Sequence, residues 1–143
     1  MIIIKKSDLD KIFDHGREGY PSEVCGIIMG TCDDKAKAAQ EVRKAGNLNT
    51  ERSHDRYEMD PKDILRAERE GTENGMEIVG FYHSHPDHPD APSEFDRERA
   101  WPSYSYMIVS VNNGRDIKVR SWVINEETKK FEEEEIEILG ENK

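Results

Sequence analysis

The chain has 143 residues, 34% of them hydrophobic and 36% charged, with a formal net charge of -10. That length suits one domain with a core that needs no disulfides, and the acidic balance argues against a non-specific nucleic-acid binder, which needs a basic face. No apolar run approaches the roughly 18 residues of a membrane helix, and Ile2–Ile4 is too short for a signal-peptide core, so a soluble, cytoplasmic protein is expected.

In chain order, Ser7 is placed to cap a helix running to about Gly16, with Leu9, Ile12 and Phe13 on one face. The Gly-Tyr-Pro stretch around Pro21 ends it. Val24–Gly30 reads as a buried strand and Ala38–Ala45 as a second one. Asn47–Tyr57 is polar and reads as a long loop. Asp60-Pro61 pairs a cap with proline at the first helical position, and that helix is expected to stop near Glu70, before Gly71. Glu77–His83 is a strand, His85–Pro92 a loop with three prolines, and Ser93–Ala100 a helix. Tyr104–Val111 and Asp116–Ile124 form a hairpin across Asn113-Gly114. Phe131–Leu139 reads as a last strand, alternating around the acidic residues Glu132–Glu135 and Glu137, which suit a solvated edge. The expected fold class is mixed α/β, one domain over 1–143, a sheet with about three helices and no internal repeat.

Two cysteines, Cys25 and Cys32, make neither a disulfide framework nor a zinc ribbon. Cys25, inside an apolar run, is expected to be a buried thiol.

The chemistry concentrates in His83-Ser-His85-Pro-Asp-His-Pro-Asp-Ala-Pro-Ser93-Glu-Phe-Asp96. On an extended strand, side chains two apart project from one face, so His83 and His85 can share a metal. Ser93 and Asp96, three apart, share one face of a helix, which the loop 86–92 can fold back over the histidines. Two imidazoles and a carboxylate, with a fourth position for water, make a catalytic zinc set. Each part also has an ordinary reading. Histidines line polar loops, and Ser93-x-x-Asp96 is a capping-box pattern. Capping and a role at the site are compatible. His88 reads as a solvated loop residue. A base has to come from another segment, and Glu23, at the start of an apolar strand, is the candidate.

These residues resemble the signature of the JAMM, or MPN-domain, metalloproteases: an upstream Glu, then His-x-His, seven residues, Ser, two residues and Asp. Glu23, His83, His85, Ser93 and Asp96 match every position. The flanks also match, in Tyr20-Pro-Ser-Glu23-Val-Cys-Gly26, Gly80-Phe-Tyr-His83 and Trp101-Pro-Ser-Tyr-Ser-Tyr-Met-Ile-Val-Ser110, so the resemblance covers roughly residues 1–125. It implies a β-sheet flanked by helices, similar to the deaminase fold. It implies one zinc per chain on His83, His85 and Asp96, with Glu23 as general base and acid and Ser93 as oxyanion donor.

The resemblance also implies a substrate: the C-terminal diglycine tail of a ubiquitin-like or sulfur-carrier protein. The short spacing from Glu23 to His83 resembles the short prokaryotic type, and the Pro21-Ser-Glu-Val-Cys-Gly26 and Trp101-Pro-Ser-Tyr-Ser-Tyr106 segments resemble the branch that releases cysteine from a sulfur carrier. Isopeptide deconjugation of ubiquitin-like modifiers is the alternative. A non-catalytic MPN binding module is disfavoured by the complete signature. A nucleobase deaminase is disfavoured by the lack of His-x-Glu and Cys-x-x-Cys.

Overall fold

In the computed structural model, which describes residues 1–49, 52–54 and 56–140, the chain runs β1 (Ile2–Lys5), α1 (Lys6–Gly19), β2 (Cys25–Cys32), β3 (Lys37–Ala45), α2 (Pro61–Glu73), β4 (Glu77–Pro86), α3 (Glu94–Arg99), β5 (Ser105–Asn112), β6 (Asp116–Ile124), β7 (Phe131–Glu134) and β8 (Ile136–Leu139). The strands form one mixed sheet in the order β7-β6-β5-β4-β2-β3-β1-β8. The mixed α/β class is as the sequence implies.

Each face of the sheet buries one helix, because each side of each strand supplies apolar residues by alternation. Leu9 and Ile12 of α1 pack on Ile2, Ile4, Ile28, Val109 and Val111. On the opposite face Ala67 and Ile64 of α2 pack on Ile27, Met29 and Ile78. Full burial of a side chain of this size stabilises by about 1.5–3 kcal/mol, so these two stripes fix both helices to the sheet. Asp60 caps α2, accepting from the Lys62 amide, and Pro61 opens it, as expected. Asn113 (φ 55°) and Gly114 (φ 73°) turn the β5–β6 hairpin through the left-handed region that Asn and Gly tolerate.

Four expectations are corrected. Helix α1 starts at Lys6 with Lys5 at the cap and no side-chain cap bond, so Ser7 sits in the first turn and does not cap it. Helix α2 passes through Gly71 to Glu73. Gly71 is there for packing: a Cβ would lie 2.4 Å from Met29 Cε. The strand expected over Phe131–Leu139 is two. Its first half pairs with β6 and its second half pairs in parallel with β1, at the other end of the strand order. Consecutive residues thereby bridge both edges of the sheet, which curls back on itself. Glu134 lies at this junction and is turned inward, accepting from Ser121 Oγ at 2.7 Å and facing the N-terminal ammonium at 3.4 Å. The acidic run is therefore only partly a solvated edge. The loop expected over Asn47–Tyr57 holds in the described part, and residues 50, 51 and 55 lie outside the described residues.

Gly26 lets the Tyr82 ring cross β2 closely, since a Cβ would fall 2.1 Å from that ring. The Tyr82 hydroxyl thereby meets His15 Nδ1 of α1 at 2.7 Å. Burial, then Lys44, push the His15 pKa down to about 4, against a weaker pull from Glu18. The unfolded chain binds this proton near pH 6.5, so from pH 6.5 down to 4 the unfolded state holds more protons and stability falls with pH. His15 is only half-buried, and with solvent screening the loss is about 1 kcal/mol. Urea unfolding at pH 7 and pH 4 is expected to show that extra loss in the native protein and not in His15→Gln.

Candidate metal centre and active site

The site lies at the carboxyl end of β4, which pairs in parallel with β5. A parallel neighbour needs a crossover, and the crossover after β4 carries the loop and α3. The end of such a strand is where open α/β sheets place ligands. His83 and His85 leave β4 on the face of Phe81, and Ser84 leaves it on the other, as alternation requires. Strand β2 runs antiparallel to β4 with Cys25 opposite His83. Two residues further back along that register, Glu23 falls beside His85. Ser84 locks the register, because its Oγ accepts from the Val24 amide at 2.9 Å and its own amide donates to the Val24 carbonyl at 3.0 Å.

Asp96 arrives from α3. Ser93 caps that helix, its Oγ accepting from the Asp96 amide at 3.1 Å while Asp96 Oδ2 accepts from the Ser93 amide at 2.9 Å. The capping box and the site are one structure. Asp96 Oδ1 lies 3.2 Å from His83 Nε2, Oδ2 lies 3.1 Å from His85 Nε2, and the two Nε2 atoms are 3.1 Å apart. All three residues are buried. A tetrahedral ion with bonds near 2.1 Å sets its donors roughly 3.4 Å apart, so the set fits a zinc-sized cation.

The surroundings hold these donors in place. His85 Nδ1 lies 2.8 Å from the Pro89 carbonyl, which can only accept, so Nδ1 carries the proton and Nε2 presents its lone pair to the centre. The Tyr57 ring stacks on His83 with centroids 4.5 Å apart. Burial opposes ionisation of Asp96, but His83, His85 and the Ser93 amide outweigh it and hold the carboxyl well below the usual range. Burial draws the His83 pKa down, whereas at His85 the bonds to Asp96 overcome burial and draw it up.

The loop 87–92 is tied down at several points. Asp87, at φ 58°, donates its amide to the Val111 carbonyl and accepts from the Asn113 amide and the Tyr20 hydroxyl. Ser110 Oγ donates to the His88 carbonyl at 2.6 Å, and Trp122 Nε1 donates to the Asp90 carbonyl at 3.1 Å.

A cavity of about 520 Å³ opens over the centre, and Glu23, His85 and Ser93 all line it. Glu23 is buried at its inner wall. Its amide donates to Ser53, and its carbonyl accepts from Asn47 Nδ2 at 3.1 Å. The same Asn47 side chain also bonds the Arg56 carbonyl and the amides of Asn49 and Glu58, so it shapes the loop beside the site. Sequence reading did not single out Asn47, Tyr57 or Ser84. Only Ser84 had a signal there, as the residue between the two histidines. His88 is exposed at the cavity rim. Cys25 is a buried thiol, as expected, with its pKa pushed up to about 12 mainly by burial, and it stands apart from the donor set. Cys32 ends β2 and is exposed.

The family model described as prokaryotic homologs of the JAB domain matches residues 5–125. A desampylase of Haloferax volcanii is 40% identical over 106 residues, covering 71% of this chain and 74% of the relative. A CysO-cysteine peptidase of Mycobacterium tuberculosis is 28% identical over 126 residues, covering 87% and 83%. A solution structure of a Desulfitobacterium hafniense protein superposes with a TM-score of 0.87 at 32% identity, covering 99% of this chain and 94% of that one. Among the described residues no helix is long and apolar enough to cross a membrane. With the signature geometry and a match over most of its length, the chain belongs to the prokaryotic homologs of the JAB domain, hydrolases of the JAMM class.

Proposed function

We propose that the protein is a zinc metallopeptidase that cuts the amide bond following the C-terminal tail of a ubiquitin-like or sulfur-carrier protein, most simply one that releases a terminal cysteine. The observation that carries this reading is the convergence of the His83, His85 and Asp96 donor atoms, all within 4.8 Å of one another, under a cavity that Glu23 and Ser93 share. His83, His85 and Asp96 would hold the ion, which would supply Lewis acidity and make water more acidic there. Glu23 takes a proton from the attacking water and delivers it to the departing amine, so that one carboxylate serves both steps. Ser93 suits oxyanion stabilisation. Its Oγ lone pair is anchored by the Asp96 amide, which leaves the hydroxyl proton free to donate into the cavity. A diglycine tail suits this reading, since glycine brings backbone close to a buried centre without a side-chain clash.

A second reading is isopeptide deconjugation, favoured by the higher identity to the desampylase than to the cysteine peptidase. Intact-mass spectrometry separates the two. Zinc-loaded protein is offered a carrier extended by one cysteine and a ubiquitin-like protein joined to lysine. Loss of the cysteine, blocked by a chelator, supports the first reading. Cleavage of the isopeptide alone supports the second. Cleavage of neither substrate, with zinc bound, sinks both.

A further inference from the structure

Phe95 immediately precedes Asp96 and faces the cavity mouth. Arg56 stands over its ring at 4.6 Å from the centroid, and Arg99 at 4.9 Å. Two like charges thus gather on one aromatic ring, in a chain with 31 acidic and 21 basic residues other than His. Several other arginines are matched with carboxylates: Arg43 with Glu41 and Glu70, Arg97 with Glu94, Arg120 with Asp90. Among the described residues Arg56 and Arg99 make no such pair, and Arg52 adds a third guanidinium to the same wall. Cation–π contact holds the two guanidiniums in place, and it leaves their hydrogen-bond donors open to an incoming anion. Glu23 and Glu94 line the same cavity, and further negative charge arriving at its mouth relieves the repulsion between the two guanidiniums.

We propose that Arg56 and Arg99 are a docking collar for acidic side chains on the body of the carrier protein, beside the point where its tail enters the cavity. This rests on the carrier-peptidase reading and adds to it that the partner presents carboxylates around its tail. Such a collar steers encounter and raises affinity in a salt-dependent way.

The test reads binding apart from cleavage. The probe is a fluorescently labelled ubiquitin-fold protein with Asp and Glu around a Gly-Gly-Cys terminus, titrated by anisotropy with the zinc-loaded Glu23→Gln enzyme. A matched probe carries Asn and Gln at those acidic positions. Expected are about tenfold tighter binding of the acidic probe and an affinity that falls with added salt. The double variant Arg56→Gln, Arg99→Gln should lose both, and Arg56→Lys, Arg99→Lys should retain the salt dependence. Equal binding of the two probes overturns the proposal. So does an arginine dependence that disappears when only the terminal carboxylate of the cysteine is amidated, because that assigns the arginines to the leaving residue. If the acidic probe binds in the expected way and the unmutated enzyme never cuts it, the collar stands and the peptidase reading falls.

Discussion

Glu23→Gln is expected to lower turnover by about 10³-fold while the protein keeps one zinc per chain, because positioned general acid–base catalysis is worth roughly 10²–10⁴. The amide matches the carboxylate in shape and keeps hydrogen-bonding capacity, but it cannot take a proton from water. Glu23 is 5% exposed, and a buried carboxylate pays a desolvation penalty that a neutral amide largely avoids. The variant should therefore unfold at the same temperature as the parent or higher. Single-turnover cleavage, metal analysis and thermal unfolding on the same sample check all three expectations. A variant that retains more than a tenth of the activity would remove Glu23 from the role of base.

Zinc is expected to raise the unfolding temperature by about 10 °C at saturation, since a ligand at 1,000 times its dissociation constant adds roughly 4 kcal/mol. The donors are already assembled: His85 is oriented by Pro89, His83 is stacked on Tyr57, and Asp96 is fixed by the Ser93 cap. The ion has little rearrangement to drive, and its binding energy appears as stability. Asp96→Ala removes the only anionic donor of the three and is expected to abolish the shift and the stoichiometric zinc. Asp96→Asn keeps an oxygen to accept from the Ser93 amide. It should hold α3 in place and still lose most of the metal, which separates ligation from capping. Differential scanning fluorimetry with and without zinc, across the three proteins, reads this directly. An undiminished shift in Asp96→Ala would place the bound ion elsewhere.

Local rules were enough for the parts of the site that lie close in the chain. The pairing of His83 with His85 follows from strand alternation, and that of Ser93 with Asp96 from the helix repeat and the capping box. The Asp60-Pro61 start and the Asn113-Gly114 turn are equally local, because each depends on backbone conformations that a few residues prefer by themselves. Glu23 is different. No local rule joins it to the histidines, and only the resemblance to the JAMM signature did so in the sequence. In the folded protein the antiparallel register of Cys25 with His83, locked by Ser84, brings it there.

Gly71 shows why local signals mislead: a residue that often ends helices is used here to let α2 approach Met29. The last strand misleads in the same way. An alternating pattern over Phe131–Leu139 fixes which side chains share a face, but it says nothing of which neighbours the backbone will bond, so its division between β6 and β1 had to wait for the sheet to close. The stacking of Tyr57 on His83, the Asn47 bonds behind Glu23 and the arginines on Phe95 likewise join side chains from different segments. By itself the sequence determined the class of domain, and through residue type, short spacing and the JAMM resemblance it named the candidate residues of the centre and the chemistry they suit. Only the tertiary structure decided what holds and surrounds that centre, because contacts between distant segments depend on register and packing across the whole sheet.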